Sequence, residues 1–316
     1  MNKEILNLLK KGLLFAAFAI PAYFVLLLIT ANWAPDPFKR NINFRMGSYG
    51  HMHSRLKEVR ESGQVELLFL GSSHTYRGFD TRLFEAEGWR VFNLGSSSQS
   101  HLQTQVLLQR YLQSLRPKLV IYEVYPGTFA TDGVESSTDI LSNDVVDRYA
   151  WTMVLKTPGL KVFNTLVPAL WSDWTGQKST YIEEAVKGPD TYVPRGYVEM
   201  ELQHYKTVRD TSSREWTWRS KQLRAFAQNL EMLKDAGAEV LLVMAPIPPG
   251  HYRNYKNTAV FDSLMQNHGR YYNFNDLMLL NDSLHFYDAH HLNQLGVEAF
   301  NRELIKLLKA EPEWLK

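Results

Sequence analysis

Val65-Glu66-Leu67-Leu68-Phe69-Leu70-Gly71-Ser72-Ser73-His74-Thr75 is the stretch from which the fold is read. A short, almost wholly apolar run empties into a glycine and two serines, the pattern of a buried strand stopped by a turn. The same pattern recurs down the chain. Residues 90–94 run into Gly95, residues 119–124 run into Tyr125-Pro126-Gly127, and residues 239–245 (EVLLVMA) form a fourth, nearly uninterrupted apolar run. Residues 271–274 read as a short fifth strand. Between the second and third runs, residues 101–115 carry Leu102, Val106, Leu112 and Leu115 at helical spacing. Residues 213–236 read as another amphipathic helix, and Asn293 as the N-cap of a terminal helix bearing Phe300, Leu304, Leu307 and Leu308. Strands that are apolar along their length and joined by helices imply an α/β chain with a mostly parallel five-stranded sheet and helices on both faces. Ligands of such sheets bind beyond the carboxyl ends of the strands.

Ahead of this domain, residues 12–30 read GLLFAAFAIPAYFVLLLIT, nineteen residues without a charge. At about 1.5 Å per residue they nearly match a hydrocarbon core of about 30 Å. Lys10 and Lys11 precede the segment and Asp36 is the first charge after it. The positive-inside rule therefore puts the N-terminus in the cytoplasm and the domain on the extracytoplasmic (periplasmic) side. A cleaved signal peptide is a rival reading, but its apolar region is usually about 7–15 residues and its cleavage site wants small residues at the −3 and −1 positions. Ile29 before Ala31 and Asn32 before Ala34 fit that poorly. A buried core helix is the third reading. The expected organisation is a cytoplasmic tip and transmembrane anchor over 1–31, a linker and leading helix over 32–64, and the α/β domain over 65–316.

The chain has 316 residues, 45% hydrophobic and 22% charged, which excludes a disordered protein. Cysteine is absent, so disulfide frameworks, cysteine-ligated zinc and a cysteine nucleophile are excluded. The formal charge of +2 is carried by Lys3, Lys10 and Lys11 against Glu4, and the rest of the chain is formally neutral. No electrostatic footprint for nucleic acid exists. Residues 127–213 break the strand–helix rhythm, with Trp151, Trp171, Trp174, Pro158-Gly159 and Gly188-Pro189 and weak helical stretches without a clear strand order. They read as an insertion capping the sheet, with a separate small domain as the alternative.

Two places can carry chemistry. At Gly71-Ser72-Ser73, small residues at a strand-to-helix turn let a serine hydroxyl stand free while the following N–H groups point at an incoming oxyanion. The same serines equally suit a helix N-cap. Neither a G-x-x-x-x-G-K-[ST] nor a G-x-G-x-x-G pattern is present for phosphate capture. In Asp288-Ala289-His290-His291-Leu292-Asn293, an Asp three residues before a His can hold the imidazole Nδ1–H and fix the tautomer whose Nε2 takes a proton from a serine. The bland reading is an Asp turn beside a solvated histidine pair. Zinc on His285, Asp288, His290 and His291 is a third reading, with no second ligand cluster to support it apart from His51 and His53 near the membrane exit.

Taken together, Gly71-Ser72-Ser73, Asn93-Leu94-Gly95 and Asp288-x-x-His291 resemble, in order and topological position, the blocks of the SGNH (GDSL-like) hydrolase superfamily. The resemblance covers residues 65–126 and 239–305, and D-A-H-H-L-N-Q-L-G over 288–296 is its most specific part. It implies a flavodoxin-like sheet, Ser73 as nucleophile, His291 as general base, Asp288 as its orienting partner, and the Ser73 and Gly95 N–H groups as oxyanion donors. His290 is then a neighbour of the base. One departure matters: the family's third block ends in a G-x-N-D turn whose Asn donates to the oxyanion, and here Glu123-Val124-Tyr125-Pro126-Gly127 stands in its place. Tyr125 or an insertion residue would have to substitute. With the anchor, this variant block is similar to the subgroup of the D-alanine transfer protein of teichoic-acid systems and the periplasmic alginate acetylation proteins. That similarity implies an acyl esterase or acyltransferase of the cell envelope, acting on a polysaccharide or other acylated glycan beside a membrane-bound O-acyltransferase, without cofactor or metal. Trp151, Trp171 and Trp174 are candidates for stacking on sugar rings, or equally the aromatic core of a cap. A catalytically weak scaffold that binds a glycan or an acyltransferase is the rival function.

Overall fold

The computed structural model describes residues 3–47, 50–206 and 212–311. Part of the expected linker (48–49), the end of the expected insertion (207–211) and the chain end (312–316) lie outside the described residues.

Helix α1 (Lys3–Trp33) contains the apolar segment and Pro21, and it is long and apolar enough to cross a membrane. Its 31 residues reach about 46 Å, more than the hydrocarbon core needs. Helix α2 (Met52–Glu61) leads into strand β1 (Leu67–Leu70), which hands the chain to the short helix α3 (Ser73–Gly78). Strand β2 (Val91–Asn93), helix α4 (His101–Leu115) and strand β3 (Leu119–Glu123) follow. Helices α5 (Val134–Asn143), α6 (Arg148–Lys156) and α7 (Leu160–Trp174) then precede three short strands, β4 (Val186–Lys187), β5 (Asp190–Val193) and β6 (Tyr197–Met200). Helix α8 (Ser220–Asp235), strands β7 (Glu239–Met244) and β8 (Arg270–Asn273), and helix α9 (Gln294–Ala310) complete the domain.

The main sheet has the order β2-β1-β3-β7-β8, and every neighbouring pair is parallel. This is the flavodoxin-like order, with its switch point between β1 and β3, and it is the fold class expected from the sequence. Period-two alternation divides the strands between two cores. Leu68, Leu70, Val120, Tyr122, Leu242 and Met244 face one side, packed with α2, α4 and α8. Leu67, Phe69, Leu119, Ile121, Leu241 and Val243 face the other, packed with Phe300 and Leu304 of α9.

Two expectations are corrected. Helix α8 begins at Ser220, not at 213, because the chain before it is held extended. The Trp216 N–H donates to Asn257 Oδ1 and the Asn257 amide donates back to the Trp216 carbonyl, while the Arg214 N–H donates to the Asn254 carbonyl. Trp216 lies flat on Tyr255, with ring centroids 3.4 Å apart. The insertion does have a strand order: β4, β5 and β6 form a three-stranded antiparallel sheet. Its strands are only two to four residues long, too short to show a sustained hydrophobic alternation. Helices α5 and α7 contribute Ile140, Leu141, Val162, Leu166 and Ala169 to the first core, and β5 and β6 contribute Val193 and Tyr197 to the second. The insertion thus shares both cores of the main domain.

Candidate active site

Every strand of the main sheet is parallel, so the carboxyl ends of β1 and β3 open onto one crevice, and the turn after β1 stands in it. Gly71 takes φ +144°, and a Cβ there would collide with Thr75 Oγ1 and Glu123 Cβ. Glycine is therefore required for the chain to leave β1 this close to β3. Ser72 is the N-cap of α3, its Oγ accepting the His74 N–H at 3.3 Å. The cap is thus Ser72, and Ser73 is the first residue of the helix.

The loop before α9 meets Ser73 from the far end of the chain. His291 Nε2 lies 2.8 Å from Ser73 Oγ, and His291 Nδ1 lies 2.8 and 3.1 Å from the two oxygens of Asp288. Asp288 Oδ1 also accepts the N–H groups of His290 and His291, each at 2.7 Å. Burial raises the Asp288 carboxyl, but His291 and the two N–H donors outweigh it and bring the group down to about 2. It is a carboxylate at any ordinary pH. Tyr287 stacks on His291 with an interplanar angle of 9°, which fixes the ring plane. The rest of the motif holds the loop to its helix: Asn293 Oδ1 caps α9 at the Gly296 N–H, and a Cβ on Gly296 would collide with the His285 carbonyl.

A pocket of about 280 Å³ opens beside Ser73, walled by His74, Ser98, Tyr125, Thr128, His290 and His291. Tyr125 forms one wall, its ring 4.2 Å from that of His74 and its hydroxyl 3.4 Å from His290 Nδ1. Gly95 does not line this pocket. Its N–H donates to Asn93 Oδ1 at 3.2 Å, and a Cβ would meet Thr75 Cβ at 2.7 Å and the Ser72 carbonyl at 2.9 Å. The glycine lets β2 and α3 approach, and its N–H is already engaged. Trp151, Trp171 and Trp174 also lie outside the pocket; they sit exposed on α6 and α7. The inward side of α7 is taken by α1 and the chain after it, which turns the tryptophans outward.

Of the residues of the metal reading, Asp288 and His291 are paired with each other, His285 Nδ1 accepts the Asn281 N–H, and His51, the N-cap of α2, and His53 are buried against Glu183, Tyr192 and Tyr181. Among the described residues no cluster of three or more His, Asp or Glu is placed to hold a metal ion.

Behind Ser73 lies a group that sequence reasoning missed. Glu123, at the end of β3, is buried, with Oε2 3.3 Å from Ser72 Oγ, which is also 3.3 Å from His74 Nδ1. Burial pushes the Glu123 carboxyl up to about 8. Burial, followed by the nearby His291 and His290, holds the His74 imidazole well below its ordinary range, so it is neutral. Ser98 takes a left-handed φ of +48° at the pocket rim. A glutamate ending a buried apolar strand was the available signal for Glu123; nothing in the sequence marked His74 or Ser98.

No protein-family model matches the chain, and no curated protein does. Among the solved structures similar to it are two from Bacteroides. One is of a "putative acylhydrolase" from Bacteroides fragilis NCTC 9343, 10% identical, covering 90% of this chain and 98% of its own, with a TM-score of 0.39. The other is of a GDSL-like lipase from Bacteroides thetaiotaomicron VPI-5482, 11% identical, covering 82% of this chain and 98% of its own, with a TM-score of 0.37.

Proposed function

We propose that this chain is a membrane-anchored, extracytoplasmic acyl esterase or acyltransferase that handles a short acyl group, acetyl foremost, on an envelope glycan through an acyl-enzyme on Ser73. The observation that carries this reading is the unbroken line from Asp288 through His291 to Ser73 Oγ at hydrogen-bonding distances. In the first half-reaction Ser73 Oγ attacks the ester carbonyl carbon as His291 Nε2 takes its proton. The tetrahedral intermediate collapses, the C–O bond to the sugar breaks, and His291 returns the proton to the departing hydroxyl. In the second, water or another sugar hydroxyl attacks the acyl-serine, loses its proton to His291, and Ser73 leaves with that proton restored. Asp288 stays ionised and holds the imidazolium throughout. The pocket, of about 280 Å³ and walled by histidine, serine and threonine, suits a short acyl chain.

The Ser73 N–H, in the first turn of α3, is the first oxyanion donor. The Gly95 N–H is engaged and no Asn follows β3, so stabilisation of the oxyanion is incomplete; one lost donor typically costs about 2.7–4 kcal/mol. The same observation favours a second reading, a slow or inactive scaffold that presents a glycan to a membrane-bound O-acyltransferase. Leu27 and Ala31 of α1 belong to the domain's core, and Tyr23 donates to Asn164 Oδ1 at 2.8 Å, which supports a retained anchor over a cleaved signal. Release of acetate from acetylated glycan or a small activated ester, by the full chain and not by Ser73→Ala, tests the enzyme reading. Equal release by both proteins leaves the scaffold.

A further inference from the structure

Helix α7 is apolar on both sides. Its inward side carries Val162, Leu166 and Ala169 into the core together with three polar residues: Asn164 accepts from the Tyr23 hydroxyl of α1, Thr165 Oγ1 accepts the Asn43 N–H at 2.9 Å, and Ser172 is buried against Met46. Its outward side is apolar. Leu160, Phe163, Leu170, Trp171 and Trp174 are exposed, and with Val167 they fall within about 100° of the helix circumference over about 21 Å. A helix on a water-facing surface carries charged and polar residues on that side instead. Trp151 and the 70%-exposed Leu155 add to the apolar surface on neighbouring α6. The exposed charges of this helix pair, Arg148, Lys156 and Lys161, are all basic. Its single acid after Asp147 is Asp173, which is turned inward to Lys178 and the Val146 N–H.

The position of this face says what covers it. Helix α7 packs on the last third of α1, where Leu27 and Ala31 are the only buried residues of that helix, while its apolar residues from Leu13 to Leu26 are largely exposed. The α7 stripe therefore continues the exposed surface of α1 at the height where the span leaves the bilayer. Tryptophan at the interface, a basic rim and an apolar face are what an in-plane membrane helix presents to lipid. We propose that the outward face of α6 and α7 lies in the outer membrane–water interface beside α1, seating the domain directly on the lipid surface. The occupant is the headgroup and upper acyl region of an anionic bilayer. This rests on the retained-anchor part of the proposed function and is independent of the acyl chemistry.

The chain has no cysteine, so single-cysteine labels have no background. Full-length Phe163→Cys, Trp174→Cys, Ala17→Cys in α1 and Lys234→Cys on α8 would each carry a bimane fluorophore in phosphatidylethanolamine–phosphatidylglycerol vesicles doped with a nitroxide lipid. The expected result is that the labels at 163 and 174 are quenched and blue-shifted like the label at 17, while the label at 234 stays as in water. Labels at 163 and 174 that match 234 while 17 is quenched would overturn the seating and leave the anchor. An unquenched label at 17 would overturn the anchor and the seating together. Labels wet in vesicles but shielded in native membranes would assign the face to a protein partner instead of lipid.

Discussion

His291 Nε2 stands 2.8 Å from Ser73 Oγ across 218 positions of sequence, and no other histidine nitrogen reaches that hydroxyl among the described residues. His290, its neighbour in the chain, points instead to Tyr125. His291→Ala should therefore remove esterase activity, whereas His290→Ala should keep a substantial part of it. Matched losses in the two variants, with unchanged circular dichroism, would move the base to the histidine pair as a unit.

Asp288 holds the His291 tautomer and is itself held by two N–H groups. Asp288→Asn should fold normally and lose about 10⁴ in kcat, as loss of the orienting carboxylate does in a worked triad. Steady-state kinetics on a small acetyl ester reads this directly. A loss under tenfold would mean that the tautomer is set by something else.

Those residues were legible because each carries a local signal. Ser73 follows an apolar strand and a glycine, and Asp288 stands three residues before His291. His74 and Ser98 carry none, and Glu123 only that of a glutamate ending an apolar strand, since what surrounds them is set by burial and by the approach of distant segments, neither of which is a local property. Gly95 shows the limit of resemblance: its position matches the family block, but Asn93 takes its N–H. Trp151, Trp171 and Trp174 invited a sugar-binding reading because composition cannot say which side of a helix faces the site.

Glu123 makes stability depend on pH in a defined direction. Its carboxyl is held at about 8 by burial, above its ordinary 4.5, so the folded chain keeps a proton that the unfolded chain releases. The group's contribution to stability is full below pH 4.5 and is lost as the pH rises towards 8. Glu123→Gln should melt higher than wild type at pH 8 and close to it at pH 4.5. Parallel melting curves across that range would show that Glu123 is ionised in the fold.

His101 acts in the opposite direction. It is buried between Tyr122 and Phe129, and burial holds its imidazole down to about 3, against an ordinary 6.5. The unfolded chain binds a proton there that the folded chain refuses, so stability is full above pH 6.5 and is lost as the pH falls towards 3. In thermal melts His101→Gln should flatten this acid limb. A limb as steep as wild type would assign it to other groups.

Arg77, on the helix that begins with Ser73, makes a two-pronged pair with Asp190 of the small sheet, both contacts at 2.8 Å and both side chains largely buried. Asp190→Ala strands the guanidinium and should destabilise the chain by about 3–5 kcal/mol. Denaturant unfolding measures it; a change under about 1 kcal/mol would place the pair with ordinary surface salt bridges.

A covalent acyl-serine is read most directly by mass spectrometry of the full-length chain quenched in acid seconds after mixing with an activated acetyl ester. One acetyl group is expected, carried on the peptide containing Ser73, lost on standing at neutral pH, retained longer in Asp288→Asn and absent from Ser73→Ala. An unmodified Ser73 peptide in wild type, or the same adduct in Ser73→Ala, would contradict it.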